Sequence, residues 1–334
     1  MGAYPWRLGA PEAPCRLFNQ LKGGRLTGVE ADVQVRQLGS RIKKGDRIAL
    51  AKGITLAEND PEGAAALLEP MGPPRRAFVV GVTGPPGTGK SSLVDRLIDT
   101  YRRDGLKVGV IAVDPSSPIT GGALLGDRIR MSGHTGDLDV FIRSMASRGW
   151  SGGLSRATSQ VIRLMDAAGY DLILLETVGI GQSDIEVVRV SHAVLVVLMP
   201  GLGDDIQVSK AGLMEVGDIY VVNKSDLEGA DLMVVNLLSL FRGSPRSPPV
   251  LKVSALSGDG IDRLHDDIER IRTPFTAGNT DLRLKSIRGM IIETARGAAM
   301  ERLAGVSESK ADGLAKQVLA GKTTIEGAAA RLSA

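Results

Sequence analysis

The run Gly84-Pro85-Pro86-Gly87-Thr88-Gly89-Lys90-Ser91 lies between a short apolar stretch, Ala77–Val82, and a segment of helical period. In that segment, Ser92–Arg103, the apolar residues Leu93, Leu97, Ile98 and Tyr101 recur at helical spacing before Gly105 stops the pattern. A strand, a glycine-rich loop and a helix in this order form a phosphate cradle. Glycines let the backbone curl until successive N–H groups face one concavity, and the helix N-terminus adds positive potential. Lys90 carries a mobile ammonium to the β- and γ-phosphates of a nucleotide, and Ser91 offers a hydroxyl to Mg²⁺. Ser92 extends the candidate contact set into the helix.

The rest of the chain fits the fold this motif requires. Apolar runs recur at Val108–Val113, Leu172–Leu175, Ala193–Met199, Ile219–Val222 and Val250–Val253, each nearly continuous and not alternating. Continuous runs mark strands buried on both faces, so they belong in a parallel sheet. Helical stretches separate most of them, which predicts an α/β P-loop NTPase with a doubly wound, mostly parallel sheet flanked by helices. Residues 1–74 read as an N-terminal helical extension, with Asp46 as N-cap of Arg47–Asn59, a stop at Asp60-Pro61 and a Pro/Gly linker at Pro70–Pro74. Residues 75–276 form the nucleotide domain. Residues 277–334 form a C-terminal helical segment, with Ile287, Met290, Ile291, Ala295 and Ala298 on one face. That face packs on the chain's own core or builds a dimer interface. The Gly- and Ser-rich interval Pro115–Gly153 lacks clean periodicity and reads as a functional loop or a surface insertion.

Strand ends are where this fold places ligands. Asp114 closes the second strand of the domain and Glu176 ends the run Leu172–Leu175, so both are candidate magnesium ligands; Asp127, inside the irregular interval, is a third. Glu176-Thr177-Val178-Gly179 has the form acid-x-x-Gly, in which the Gly179 N–H would meet the γ-phosphate. Asn223-Lys224-Ser225-Asp226 follows the strand Ile219–Val222. The Asp226 carboxylate can accept from the N1–H and 2-amino group of guanine, and adenine would face it with a lone pair. Asn223 can bridge loop segments or reach the base, and the Lys224 stem can cover its face. Ser254-Ala255-Leu256 ends the next strand and would offer N–H groups to guanine O6. Where many GTPases carry a water-orienting Gln directly after acid-x-x-Gly, this chain has Ile180, with Gln182 two residues on. Slow intrinsic hydrolysis, completed by a partner or by dimerisation, is the expectation. Lys90, Asp114, Glu176 and Gln182 are the candidate catalytic groups.

Composition excludes several other functions. Aromatics are 3% of the 334 residues and the formal net charge is +3, so neither stacking platforms nor a basic footprint argue for nucleic acid. The three histidines, His134, His192 and His265, are scattered and make no metal cluster. Cys15 is the single cysteine, which suits a reducing compartment. No apolar run approaches the ~18 residues of a membrane span. The N-terminal residues lack the apolar core of a signal peptide, so a cytoplasmic location is expected.

Thr83–Ser92, Val113-Asp114-Pro115-Ser116-Ser117, Thr120-Gly121-Gly122, Gly126-Asp127-Arg128, Glu176–Ser183 and Pro200–Gln207 together resemble the MeaB/ArgK/MMAA GTPases. The upstream Gly45–Ala51 is similar to that family's N-terminal helix, so the resemblance covers about residues 45–270. It implies GTP/GDP and Mg²⁺ as cofactors, with Asp114, Asp127 and Glu176 sensing magnesium and the γ-phosphate and Gly201–Lys210 acting as an additional switch. It also implies a homodimer joined through C-terminal helices. The partner it implies is an adenosylcobalamin-dependent acyl-CoA mutase, methylmalonyl-CoA mutase or a relative, which the chain would load with cofactor and protect as a chaperone. The chain has Pro118-Ile119 where a more polar pair is expected and only Lys210 where paired lysines are common. An ATP-dependent kinase of the ArgK type and a metal-insertion GTPase are the alternatives. Asn223–Asp226 opposes the first, and the lack of a Cys/His cluster opposes the second.

Overall fold

A computed structural model of the chain describes residues 28–74, 76–114, 132–134, 136–146, 153–177, 189–201, 213–243, 247–304 and 308–333. Three helices come first, α1 (Gly28–Lys43), α2 (Arg47–Asn59) and α3 (Pro61–Leu68). Asp46 caps α2 through its Oδ1, which accepts from Ile48 and Ala49 N–H at 2.9 and 3.0 Å. Asp60 then serves two helices. Its N–H bonds Leu56 O at the end of α2, and its carboxylate accepts from Gly63 N–H at 2.9 Å, with Pro61 in the first turn of α3.

The sheet comprises β1 (Phe78–Thr83), β2 (Val108–Asp114), β3 (Val140–Ala146), β4 (Leu172–Glu176), β5 (Ala193–Leu198), β6 (Ile219–Val222) and β7 (Val250–Lys252). Their order is β3-β2-β4-β1-β5-β6-β7 and every pairing is parallel. The helices α4 (Lys90–Arg103), α5 (Gly153–Ala167), α6 (Leu213–Val216), α7 (Ala230–Phe241) and α8 (Ile261–Thr276) connect the strands or follow β7. One face of the sheet carries α1–α3 and α5 over Val79, Ile111, Ile173 and Leu175. The other carries α4 and α8 over Val80, Val82, Val110 and Leu174. Burial on both faces is why these strands read as continuous apolar runs.

β3 lies within the interval Pro115–Gly153, where no element is expected. β3 is an edge strand, and Arg143 and Ser144 interrupt its apolar pattern. Arg143 reaches back to α2, where it pairs with Glu58 and donates to Thr55 Oγ1 at 3.2 Å. The edge is therefore covered by a helix far away in sequence.

Beyond α8 run α9 (Thr280–Ala304), α10 (Glu308–Leu319) and α11 (Ile325–Ser333). Of the apolar face of α9, Ile287, Met290 and Ala298 are half-buried, whereas Ile291 and Ala295 are exposed. Ile291 is 63% exposed, whereas Glu293 is 2% exposed. A Cβ on Gly289 would lie 2.6 Å from Arg189 O, so the backbones of α9 and the segment before β5 meet there closely. Arg189 and Arg296 both donate to Glu293 Oε1 at 3.0 Å, which stabilises that carboxylate in its buried place. The glycine admits the close approach, so the packing face runs through Gly289 and Glu293 and leaves Ile291 outward. No helix among the described residues is long and apolar enough to cross a membrane.

His192 joins the sheet to α9. Its Nδ1 accepts from Val79 N–H at 2.7 Å, so Nε2 carries the proton and donates to Ser286 Oγ at 2.6 Å. The ring lies against Phe78 and Phe275, with centroids 5.3 and 4.1 Å away. Burial lowers its pKa to about 4 from the usual 6.5. The folded state thus favours the neutral ring, and its stabilising contribution is complete above pH 6.5. It is lost as the pH falls from 6.5 towards 4, by about 3 kcal/mol in total. In denaturant titrations at pH 7 and pH 4.5, replacing His192 with Gln should flatten this part of the pH dependence. An unchanged slope would show that other groups carry it.

Candidate functional site

The phosphate cradle is built where β1 ends. Gly84 has φ 140°, and a Cβ there would lie 2.0 Å from Val197 O, so the loop leaves the sheet pressed against β5. Gly89, at φ 85°, is the N-cap of α4 and brings no side-chain cap, leaving the first N–H groups of the helix for an anion. Thr88 Oγ1 donates to Pro85 O at 3.0 Å and closes the loop on itself. Lys90 is 6% exposed, and its Nζ donates to Gly84 O at 2.8 Å and Pro85 O at 3.0 Å. The ammonium is held across the cradle before any phosphate arrives, so little of its conformational freedom remains to be lost on binding.

Ser91 and Glu176 are brought together. The Ser91 hydroxyl donates to Glu176 Oε1 at 2.6 Å, from α4 to the end of β4. Glu176 is 4% exposed, next to buried Thr177, whose N–H bonds Val82 O at 3.1 Å. Asp114 ends β2, the neighbour of β4, on the same strand-end edge, where Ala112 pairs with Glu176. The Asp114 side chain lies outside the described residues, as do Asp127, Gly179 and Gln182 and the segment 202–210. Exposed Ser92 follows in the first turn of α4, and Pro86 and Gly87 form the exposed tip of the loop.

The second half of the site hangs from Asn223 at the end of β6. Its Nδ2 donates to Thr88 O at 2.8 Å, and its Oδ1 accepts from Ala255 N–H at 3.0 Å. Of the two roles open to it in the sequence, Asn223 takes the bridging one: it ties the phosphate loop to the loop after β7. Lys224 takes φ 55°, a left-handed conformation that turns the chain so that Asp226 comes under Ser254. The Ser254 hydroxyl donates to Asp226 Oδ1 at 2.7 Å and fixes that carboxylate while leaving lone pairs for a ligand. The Ser254–Leu256 expectation needs narrowing. Ser254 N–H bonds Asp259 O at 2.9 Å and Ala255 N–H is taken by Asn223, which leaves Leu256 N–H as the donor for O6.

One contributor escaped the sequence reading. Arg96, on α4, donates from Nε to Ala255 O and from an Nη to Leu256 O, both at 2.9 Å. A lone Arg in an amphipathic helix carries no local sign of such a partner 159 residues away.

Cradle, buried Ser-Glu pair and carboxylate-bearing loop together fit a purine nucleoside triphosphate whose base donates two hydrogen bonds. The comparisons agree. The family model described as methylmalonyl Co-A mutase-associated GTPase MeaB matches residues 50–307. A GTPase of Pyrococcus horikoshii is 51% identical over 243 residues, covering 70% of this chain and 77% of that protein. The mouse mitochondrial methylmalonic aciduria type A homolog is 36% identical over 269 residues, 73% of this chain and 64% of that protein. The crystal structure of LAO/AO transport system kinase is similar at a TM-score of 0.67 and 28% identity, covering 90% of this chain and 97% of that one. The chain therefore belongs to the MeaB family of methylmalonyl Co-A mutase-associated GTPases.

Proposed function

We propose that this GTPase is a chaperone that gates adenosylcobalamin loading into, and protects, a B12-dependent acyl-CoA mutase, methylmalonyl-CoA mutase or a close relative. The observation that carries the reading is the buried Ser91–Glu176 hydrogen bond. It joins the phosphate cradle to the start of the acid-x-x-Gly segment, so a change in what Ser91 binds is felt directly at the root of that switch. Family membership supports a mutase as the protein that senses it.

Mg²⁺ fits this donor set. Ser91 Oγ and Glu176 are hard oxygen donors, as are the candidates Asp114 and Asp127, and a small divalent ion accepts few protein ligands and keeps water. When bound, the ion would neutralise charge developing on the β- and γ-phosphates. Lys90 would hold the same phosphates, and Gly179 would report whether the γ-phosphate is present. Ile180 cannot orient water, so intrinsic turnover is slow, and Gln182 or a partner completes the site. The exposed apolar residues Leu284, Ile291 and Ile292 of α9 suit a homodimer built on the C-terminal helices, with 277–334 as its arm. The protein is expected to act in the cytoplasm, without membrane or nucleic acid.

A kinase reading, suggested by the similar solved structure, is disfavoured by Asp226, which adenine would leave without donors. The test is nucleotide hydrolysis by the purified protein, alone and with candidate acyl-CoA mutases, with ATP as control. Slow GTP turnover that rises on adding one mutase, with no use of ATP, is the expected result. Brisk turnover alone, unchanged by every mutase, would sink the partner-gated reading.

A further inference from the structure

We propose that Arg96 is a positioning residue for recognition of the purine 6-oxo group. It acts by aiming the Leu256 N–H from a helix that otherwise serves the phosphates. The proposal rests on the guanine reading of Asp226 and adds to it the opposite edge of the base.

Arg96 lies six residues into α4 from Lys90, about 9 Å along the axis. Its guanidinium is a rigid fork, and it grips two consecutive carbonyls, Ala255 O and Leu256 O, each at 2.9 Å. The carbonyl of Ala255 and the N–H of Leu256 belong to one planar trans peptide, in which C=O and N–H point in opposite directions. Holding the carbonyl towards α4 therefore fixes the N–H away from α4. Asn223 fixes the same stretch from its other end by accepting Ala255 N–H at 3.0 Å. The Leu256 side chain, 81% exposed, supplies no packing that could set the peptide's orientation. Without Arg96 the turn would keep Asn223 and its own closures, Gly258 N–H to Ser254 O at 2.8 Å and Ser257 N–H to Ser254 Oγ at 3.3 Å, but the Ala255 and Leu256 carbonyls would lose the guanidinium that aims them.

The contact also has an electronic consequence. A guanidinium bonded to the carbonyl draws charge through the amide and makes its N–H a stronger donor. Orientation and polarisation both favour an acceptor at the purine 6-position, so the ligands served are 6-oxopurine nucleotides.

The experiment compares three triphosphates on wild type, Arg96→Ala and Arg96→Lys. GTP and ITP carry O6, whereas 2-aminopurine riboside triphosphate keeps the 2-amino group and lacks O6. Arg96→Ala should weaken GTP and ITP about tenfold each, as expected for loss of one charge-supported hydrogen bond. It should leave the affinity of the 2-aminopurine nucleotide unchanged. Arg96→Lys, a single point donor on a flexible stem, should fall between the two. If Arg96→Ala does not fold, the GTP to 2-aminopurine affinity ratio of Arg96→Lys carries the same test. An equal loss for all three nucleotides would make Arg96 merely structural and overturn the proposal, as would an unchanged GTP affinity. A wild-type protein that does not prefer GTP over the 2-aminopurine nucleotide would overturn the guanine reading itself, before any substitution is made.

Discussion

Replacing Asp226 with Asn is expected to cut GTP affinity by about 10²–10³-fold and to raise affinity for xanthosine triphosphate. On the proposed reading the carboxylate would accept two hydrogen bonds from guanine, each charge-assisted. An amide can accept one at most and turns its NH₂ against the guanine amino group, a loss of about 3–4 kcal/mol. Xanthine has a carbonyl where guanine has the amino group, so the same amide pairs with it. Ser254 donates to Oδ1 at 2.7 Å and can do the same to an amide oxygen, so the loop geometry should survive. Asp226 is exposed, and the melting temperature without nucleotide should barely move. Competition binding with GTP and xanthosine triphosphate is the measurement. An unchanged ratio would mean that another group reads the base.

The second large effect is at Lys90. Lys90→Ala should lower GTP affinity and turnover by about 10²–10⁴-fold, because it removes the one ammonium buried in the cradle, held on Gly84 O and Pro85 O. Lys90→Arg should not rescue the function. The guanidinium is bulkier and planar, and the buried space at the start of α4 is shaped for a narrow stem. The clearest readout is thermal. Wild type should melt higher as GTP is added, by mass action on the folded state, and Lys90→Ala should lose that rise. A variant that still responds to GTP as wild type does would show that the helix N-terminus alone holds the phosphates. The two substitutions separate the ends of the ligand, since Asp226→Asn should retain a response to xanthosine triphosphate and Lys90→Ala should respond to neither.

Local signals made the centre of the site legible before the structure. Glycine positions, the Lys-Ser pair and the Asn223–Asp226 run each encode their geometry within a few residues, and β1, β2, β4, β5 and β6 announce themselves as doubly buried runs. What stayed hidden depends on partners distant in the chain. β3 is held by parallel pairing with β2 along its whole length, and its Arg143 pairs with Glu58 on α2; neither contact leaves a periodic mark. The inward line of α9 runs through Gly289, which meets Arg189 O, and leaves Ile291 and Ala295 of the apolar face outward. The grip of Arg96 belongs to the same class. The candidate residues Asp127, Gly179 and Gln182 lie outside the described residues, and their assignments remain proposals.

The strand order also bears on how the protein is made. β1, which carries the phosphate loop, lies between β4 and β5, so Phe78 waits for Leu172 and Val80 for Ala193 before either flank is filled. Non-local parallel pairing of this kind is slow and leaves apolar strand surface uncovered meanwhile. A nascent chain leaving the ribosome thus displays its most recognisable motif long before that motif can work. Asn223 and Ser254 emerge later still, so guanine nucleotide cannot template the early stages of folding and can only lock the finished domain.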